Sequence, residues 1–577
     1  MKNKLCFFSC FLIILLLVGC GNTSNSESSN SSIEPSSDVV VSEEFKEYVE
    51  VNMVEGKDYI DHANTYNGED FEFNDSMWYI NKLDKVPLPD PHVYCEDGTY
   101  YIVGTNDAGN CKYVDCYYTT DFVDFNFASK IFDPSTYDGW ENDSNPTIYA
   151  PEIFKIDGYY YMYYSACDNT VPTNAKKSVR RNSVVRSKNV LGPYEPIVEN
   201  GINGIEAPLF MGETQRVLDA TIFIDDDGKM YMYYATRDSE QYISGVEMKS
   251  PYEADWSTKK EIVRPGTLKI GETDKLLYWE AYPKLNIAEA PYMIKSPNGK
   301  YYMTYSVNGC WNKYYNICYA VSDSPLGEFV KPYEEGKIWT NLLMGYPGTN
   351  DSESLVYNQW SGFASGTGHH CFFNIGEQIM IGYHAHENRN YNVSGAGFVG
   401  RYFAMDPLFF DEKGVPYANG PTYSLQPIPE EMSGYKNIAL DASIRVQNVE
   451  NEHAINDNYI VDCYNLESDE KEVKLGSGYS FIELTFDREY EIGGIAIYNS
   501  SLYEKTVFEI EYIDMMNGNA FEKSSFSNAY VNDEYEFTFP NSAFTFEIIK
   551  EVKTNKIIIC FNLGDQLNIN EIVILGK

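Results

Sequence analysis

Four carboxylates stand at or near the head of segments that read alike. Asp90 opens "DPHVYCEDGTYYIVGT", Glu152 falls in "APEIFKIDGYYYMYYSA", Asp219 opens "DATIFIDDDGKMYMYYAT" and Glu289 opens "EAPYMIKSPNGKYYMTYS". A fifth such segment, "GHHCFFNIGEQIMIGYHAH", carries His369 near its start. Asp90 lies between Pro89 and Pro91. Proline fixes its own φ and restricts the residue before it, so the Asp90 side chain is aimed within a narrow range. Acidic groups brought together repel one another, and the least solvated of them keeps its proton to higher pH. A protonated acid then stands beside an ionised base. Cleavage of a glycosidic bond needs that pairing: the acid protonates the leaving oxygen while the base activates a water on the opposite face.

Residues this far apart need a scaffold that returns the chain repeatedly to one place. Each of the five segments is an apolar strand, a Gly-containing turn and an aromatic strand. The turn glycines are Gly98, Gly158, Gly228, Gly299 and Gly376, at separations of 60, 70, 71 and 77 residues by subtraction. Glycine supplies the positive φ of a tight hairpin. Further strand-like runs follow, such as "DCYYTTDFVDFNF" and "NICYAVSDSPLGEFV". Repetition of all-β units at this period predicts a five-bladed β-propeller. The inner strand of each blade lines a central channel, and the starts of those strands crowd one mouth. Asp90, Glu152, Asp219, Glu289 and His369 are therefore expected around one cavity.

"DPHV" at 90–93 and the segments from Asp219 and Glu289 resemble the three blade motifs of glycoside hydrolase family 43. "GTGHH" at 366–370 and "RYFAMDPLFFDEKGVPYANGP" from Arg401 are similar to that family's fifth blade. The resemblance implies an inverting enzyme acting on α-L-arabinofuranosyl or β-D-xylosyl linkages of plant polysaccharides or their oligosaccharides. It makes Asp90 the general base, Glu289 the general acid, and Asp219 the residue that tunes and orients the acid. Glu152, Arg401 and His92 are expected to contact substrate. The resemblance also implies that His369 approaches a central calcium through water, an ion that the chemistry does not require. The family form has Gly where this chain has Ala290. Trp78, Trp140, Trp279 and Trp311 are candidates to stack on sugar faces, with core packing the alternative for each. "DDDG" at 225–228 lacks the spaced ligands of a calcium loop and is expected to be a hairpin turn. The competing function is a non-catalytic carbohydrate-binding surface lipoprotein, against which the intact set of three carboxylates argues.

The chain has 577 residues, with Lys+Arg 44 against Asp+Glu 85 and a net charge of -41. Such a surface repels phosphate backbones, which excludes nucleic acid as a natural partner. At the N-terminus a basic "MKNK" precedes an apolar stretch ending in "LVGC". This resembles a bacterial lipobox, implying a signal peptide over 1–20 and a lipid on the Cys20 thiol. A Ser/Asn-rich tether over 21–45 would then hold the protein at the outer face of the cell membrane. An N-terminal extension covers 46–80 and the propeller 81–432. Residues 433–577 alternate short strands and predict a β-sandwich of the jelly-roll kind. Their order and the closing "INEIVILG" resemble discoidin-like, galactose-binding-like modules, which leaves sugar binding and bracing of the propeller both open. Beyond Cys20 nine cysteines remain, scattered, with no CxxC spacing. A Cys111–Cys116 or Cys310–Cys318 bridge stays undecided at this level.

Overall fold

Runs such as "YYYMYYSA" put bulky aromatics on both faces of a strand, which suits sheets stacked against one another around a ring. The computed structural model describes the strand Tyr59–His62, residues 73–81 and, with interruptions, 85–577. The longest interruptions are 169–178, 198–215 apart from Leu209, 346–365, 387–399, 461–471 and 517–528. The lipobox with Cys20, the tether and most of the N-terminal extension lie outside the described residues, as do most of the inter-blade loops.

Among the described residues, five four-stranded antiparallel sheets follow one another from 92 to 418. Their inner strands are His92–Glu96, Ile148–Ile156, Val217–Ile224, Ala288–Lys295 and Gly368–Ile375. The second strands are Thr99–Val103, Tyr159–Cys167, Met230–Arg237, Tyr301–Val307 and Gln378–His386. Each inner strand touches the next in ring order, and the fifth returns to the first. The fold is a five-bladed β-propeller. All five turn glycines have positive φ, from 58° to 82°. The "DDDG" segment is the expected turn: Gly228 N–H donates to Asp225 O at 2.8 Å, and Lys295 Nζ reaches Asp225 and Asp226 at 2.8 and 2.7 Å.

Three second strands carry a buried tyrosine at the same place, each donating to a buried carboxylate from a neighbouring segment. Tyr164 bonds Glu141 at 2.6 Å, Tyr305 bonds Glu280 at 2.7 Å and Tyr383 bonds Asp406 at 2.7 Å. A buried carboxylate is tolerated only with such partners.

Residues 436–576 form two antiparallel sheets sharing the 22-residue strand Gly478–Asn499, an arrangement compatible with a β-sandwich. Its own core gathers Ile482, Leu484, Ile495, Ile557, Phe561 and Ile572. A second cluster crosses to the propeller, placing Tyr498, Val573 and Leu575 with Trp279, Tyr305 and Trp78. Tyr498 donates to Leu425 O at 2.7 Å, and Tyr459 stacks on Tyr417 with centroids 4.1 Å apart. The segment ahead of blade 1 belongs to this seam. Trp78–Tyr79 pairs with Gln426–Pro427, Asn81 exchanges bonds of 2.9 and 3.0 Å with the Met405 backbone, and Tyr59–His62 pairs with the sandwich strand Ala543–Ile548.

Candidate active site

At the head of four inner strands the pairing ladder shifts register, between Tyr149/Glu152, Leu218/Thr221, Glu289/Tyr292 and Gly368/Cys371. In all five blades a residue at this place is left-handed: Asp90 (φ 55), Ala150 (φ 45), Asp219 (φ 56), Ala290 (φ 50) and His369 (φ 47). Non-glycine residues seldom adopt this conformation, and here it turns the chain at the channel mouth. The five polar residues expected at or near the head of these strands lie at this place or within two residues of it. Asp90, Asp219 and His369 share the position, Glu289 stands one residue before it and Glu152 two after.

Asp90 is buried and held from two blades. Arg401 Nη1 donates to its Oδ1 at 2.7 Å, and Thr105 Oγ1 to its Oδ2 at 2.6 Å. His369 Nδ1 lies 3.2 Å from Oδ1. Burial opposes the charge on Asp90, but Arg401 and then His369 outweigh it and hold the carboxyl well below its usual range. Burial likewise opposes charge on His369, yet Asp90 and then Asp219 lift it to about 9, so it is an imidazolium at neutral pH. His384 differs. Its Nδ1 accepts the Asp90 N–H at 3.2 Å, and burial and then Arg401 push its pKa far down. Its approach to Asp90 is therefore that of a neutral ring.

Asp219 is buried, and its Oδ2 accepts the Ala290 N–H at 3.1 Å. Burial pushes it up to about 7, with the charges of Glu289 and Asp90 adding to the rise and His369 opposing. Glu289 is less buried than either aspartate. Gln241 Nε2 donates to its Oε2 at 2.6 Å and Tyr315 OH to its Oε1 at 3.0 Å. The mouth thus holds an ionised carboxylate, a carboxyl poised near neutrality, and a solvent-reachable carboxyl gripped on both oxygens.

A family model, "Glycosyl hydrolases family 43", matches residues 84–416. The chain belongs to glycosyl hydrolases family 43. It is 26% identical over 258 residues to the extracellular endo-alpha-(1->5)-L-arabinanase 2 of Bacillus subtilis, covering 42% of this chain and 50% of that protein. It is 27% identical over 264 residues to the beta-D-galactofuranosidase xynD of Aspergillus niger, covering 44% and 57%. The chain therefore spans about half the length of the curated relatives it matches. A solved thermostable family-43 glycoside hydrolase aligns at 25% identity and a TM-score of 0.46, over 61% of this chain and 98% of that one.

The remaining expected residues of this family 43 chain fall differently. Arg401 directs its guanidinium to Asp90 and, at 3.2 Å, to Asp107. His92 is buried in the channel below the mouth, its Nδ1 accepting the Ile153 N–H at 3.3 Å and its ring against Phe154; burial lowers it to about 3. It joins two inner strands. Glu152 is buried, and burial pushes it up to about 8, so it is a neutral wall of the channel at neutral pH. His369 turns its Nδ1 to Asp90 Oδ1, 3.2 Å away. Among the described residues no group of three His, Cys, Asp or Glu side chains is placed to hold a metal ion.

Trp78, Trp140 and Trp279 are buried in the core, whereas Trp311 is 50% exposed beside Cys310 and remains a candidate platform. Among the described residues the cysteines are free, so neither suspected bridge forms. Thr105, Gln241 and Tyr315 escaped the sequence reading. Thr105 lies two residues beyond the strand Thr99–Val103 and could have been found by asking what faces Asp90 across the hairpin; Gln241 and Tyr315 carry no local signal.

Proposed function

We propose that the protein is an inverting glycosidase cleaving α-L-arabinofuranosyl or β-D-xylosyl linkages of plant polysaccharides or their oligosaccharides. The observation that supports it is the unequal treatment of three carboxylates at one mouth. Asp90, held ionised, takes a proton from a water as that water attacks the anomeric carbon on the face away from the leaving group. Glu289 gives its proton to the departing glycosidic oxygen, with Gln241 and Tyr315 fixing the direction of the carboxyl. A single displacement inverts configuration. Asp219, tied to the residue after Glu289, sets the field and position of the acid. The proton gained by Asp90 leaves to solvent, and Glu289 is reprotonated for the next cycle. No step passes through a metal. Exported and lipidated at Cys20, the enzyme would meet polysaccharide fragments at the outer face of the membrane.

Aryl arabinofuranosides, aryl xylosides, arabinan and xylan, assayed with wild type and Glu289→Ala, test the reading. Glu289→Ala should lose most activity on poor leaving groups and keep more on activated aryl ones, since a good leaving group needs no proton. Equal activity of the variant on all substrates removes Glu289 from the acid role. Asp90→Ala should be inactive throughout, and turnover by it reassigns the base. The anomer first released, followed by NMR, must be inverted.

A further inference from the structure

We infer that the methyl side chain of Ala235 is a positioning element of the site: it leaves one link of a ring of inter-blade caps unmade and so hands the Ala290 N–H to Asp219. The inference rests on the hydrolase reading above and names a residue that governs its acid.

The left-handed residue heading each inner strand offers its N–H to a side chain of the preceding blade. Ala150 donates to Thr105 Oγ1 at 2.9 Å, Asp219 to Ser165 Oγ at 2.9 Å, and His369 to Ser306 Oγ at 2.8 Å. Asp90 closes the ring by donating to His384 Nδ1 at 3.2 Å. The acceptors are equivalent by strand register. Tyr149 faces Ser165, Glu289 faces Ser306 and Gly368 faces His384, while Thr105 N–H bonds Pro89 O. In each case the acceptor lies opposite the residue just before the left-handed one.

In blade 3 the same register puts Leu218 opposite Ala235. Ala235 is fully buried and has no acceptor to offer. The N–H it would have capped, that of Ala290, goes instead to Asp219 Oδ2 at 3.1 Å. Ala290 directly follows Glu289, so the broken link ties the Asp219 carboxylate to the backbone that carries the acid. A hydroxyl at 235 would lie as Ser165 and Ser306 do, take the Ala290 N–H, and release Asp219.

Ala235→Ser and Ala235→Cys test this, the second filling similar space with only a weak acceptor. Ala235→Ser is expected to lower kcat/KM about tenfold or more on substrates with poor leaving groups, the size of effect expected when a charged group loses a hydrogen bond. KM should change little. Asp219 would lose a donor that favours its ionised form, so the acidic limb of the pH profile should move to higher pH. Ala235→Cys should show the smaller change in both. In an Asp219→Asn background, assayed on activated aryl glycosides, Ala235→Ser should add no further loss. A folded Ala235→Ser with wild-type rate and pH profile overturns the inference, and so do equal effects of Ser and Cys, or a Ser effect undiminished without the Asp219 charge. Failure of Ala235→Ser to fold also overturns it, because the equivalent positions accept that hydroxyl. If Glu289→Ala leaves hydrolysis untouched, the hydrolase reading itself falls; an inactive Glu289→Ala beside an unaffected Ala235→Ser sinks the Ala235 role alone.

Discussion

Replacing Glu152 by glutamine removes a buried proton whose binding differs between the folded and unfolded chain. In the folded protein burial pushes Glu152 up to about 8, with Thr221 and His369 moderating the rise and Asp219 adding to it; an ordinary glutamate sits at 4.5. Between those two values the unfolded chain has released a proton that the folded chain retains. Stability is therefore fully present below about 4.5 and is lost as pH rises toward 8. The loss amounts to about 1.4 kcal/mol per pH unit, reaching at most about 5 kcal/mol. Glutamine keeps the shape and has nothing to titrate. Relative to wild type, Glu152→Gln should gain stability steadily from pH 5 to 8 and no more beyond it. Urea unfolding midpoints at pH 5, 6, 7, 8 and 9 measure the gap. A gap that stays constant, or narrows as pH rises, refutes the assignment of Glu152 as a neutral channel wall.

Arg401→Met should raise the Asp90 pKa, moving the acidic limb of kcat/KM to higher pH, and should cost about 3–5 kcal/mol of stability by orphaning a buried carboxylate; pH–rate profiles and denaturant melts check both. Tyr315→Phe removes the 3.0 Å bond to Glu289 and should reduce kcat about three- to thirtyfold on poor leaving groups, with less effect on activated aryl glycosides. Ala290→Gly should stabilise the protein by about 0.5–1 kcal/mol, because φ 50 suits glycine better than alanine, as a thermal melt would reveal. Trp78→Ala should destabilise by about 3–5 kcal/mol and lower propeller and sandwich transitions together, since Trp78 packs with both; two separate transitions in calorimetry would contradict a shared seam.

The ring of blades was readable because hairpin turns announce themselves. Glycines at Gly98, Gly158, Gly228, Gly299 and Gly376 must have positive φ, and aromatic alternation on either side leaves few other folds. Asp90, Asp219 and Glu289 were equally visible, as each heads a repeat. A register shift inserts backbone that no local pattern advertises, so the sequence does not tell that the left-handed place belongs to Ala150 and Ala290, beside Glu152 and Glu289. The partners of Arg401 and His92 were not legible, because each lies on another blade. The segment before residue 81 was unplaceable for the same reason: its partners, Met405, Gln426 and the sandwich, lie hundreds of residues away.

The partners of the two working carboxylates come from different parts of the ring, and this has a consequence for how the site is kept intact. Glu289 is gripped by Gln241 and Tyr315, from blades 3 and 4, whose hairpins join sequentially adjacent strands. Asp90 takes Thr105 from its own blade, but Arg401, His369 and His384 all come from blade 5. Asp90, the proposed base, therefore keeps its low pKa only while the last blade is docked on the first. Among the described residues no four-stranded blade mixes strands from both ends of the propeller, so the contact of the last blade with the first is noncovalent. It is secured by Asn81 on Met405, by Val86 O accepting the Phe403 N–H at 3.0 Å, and by Trp78 against the sandwich. Loosening this clasp should weaken the base before it disturbs the acid. Asn81→Ala should accordingly shift the acidic limb of kcat/KM to higher pH while preserving the difference between good and poor leaving groups that reports Glu289. Loss of that leaving-group dependence with an unmoved acidic limb would show that ring closure serves the acid instead.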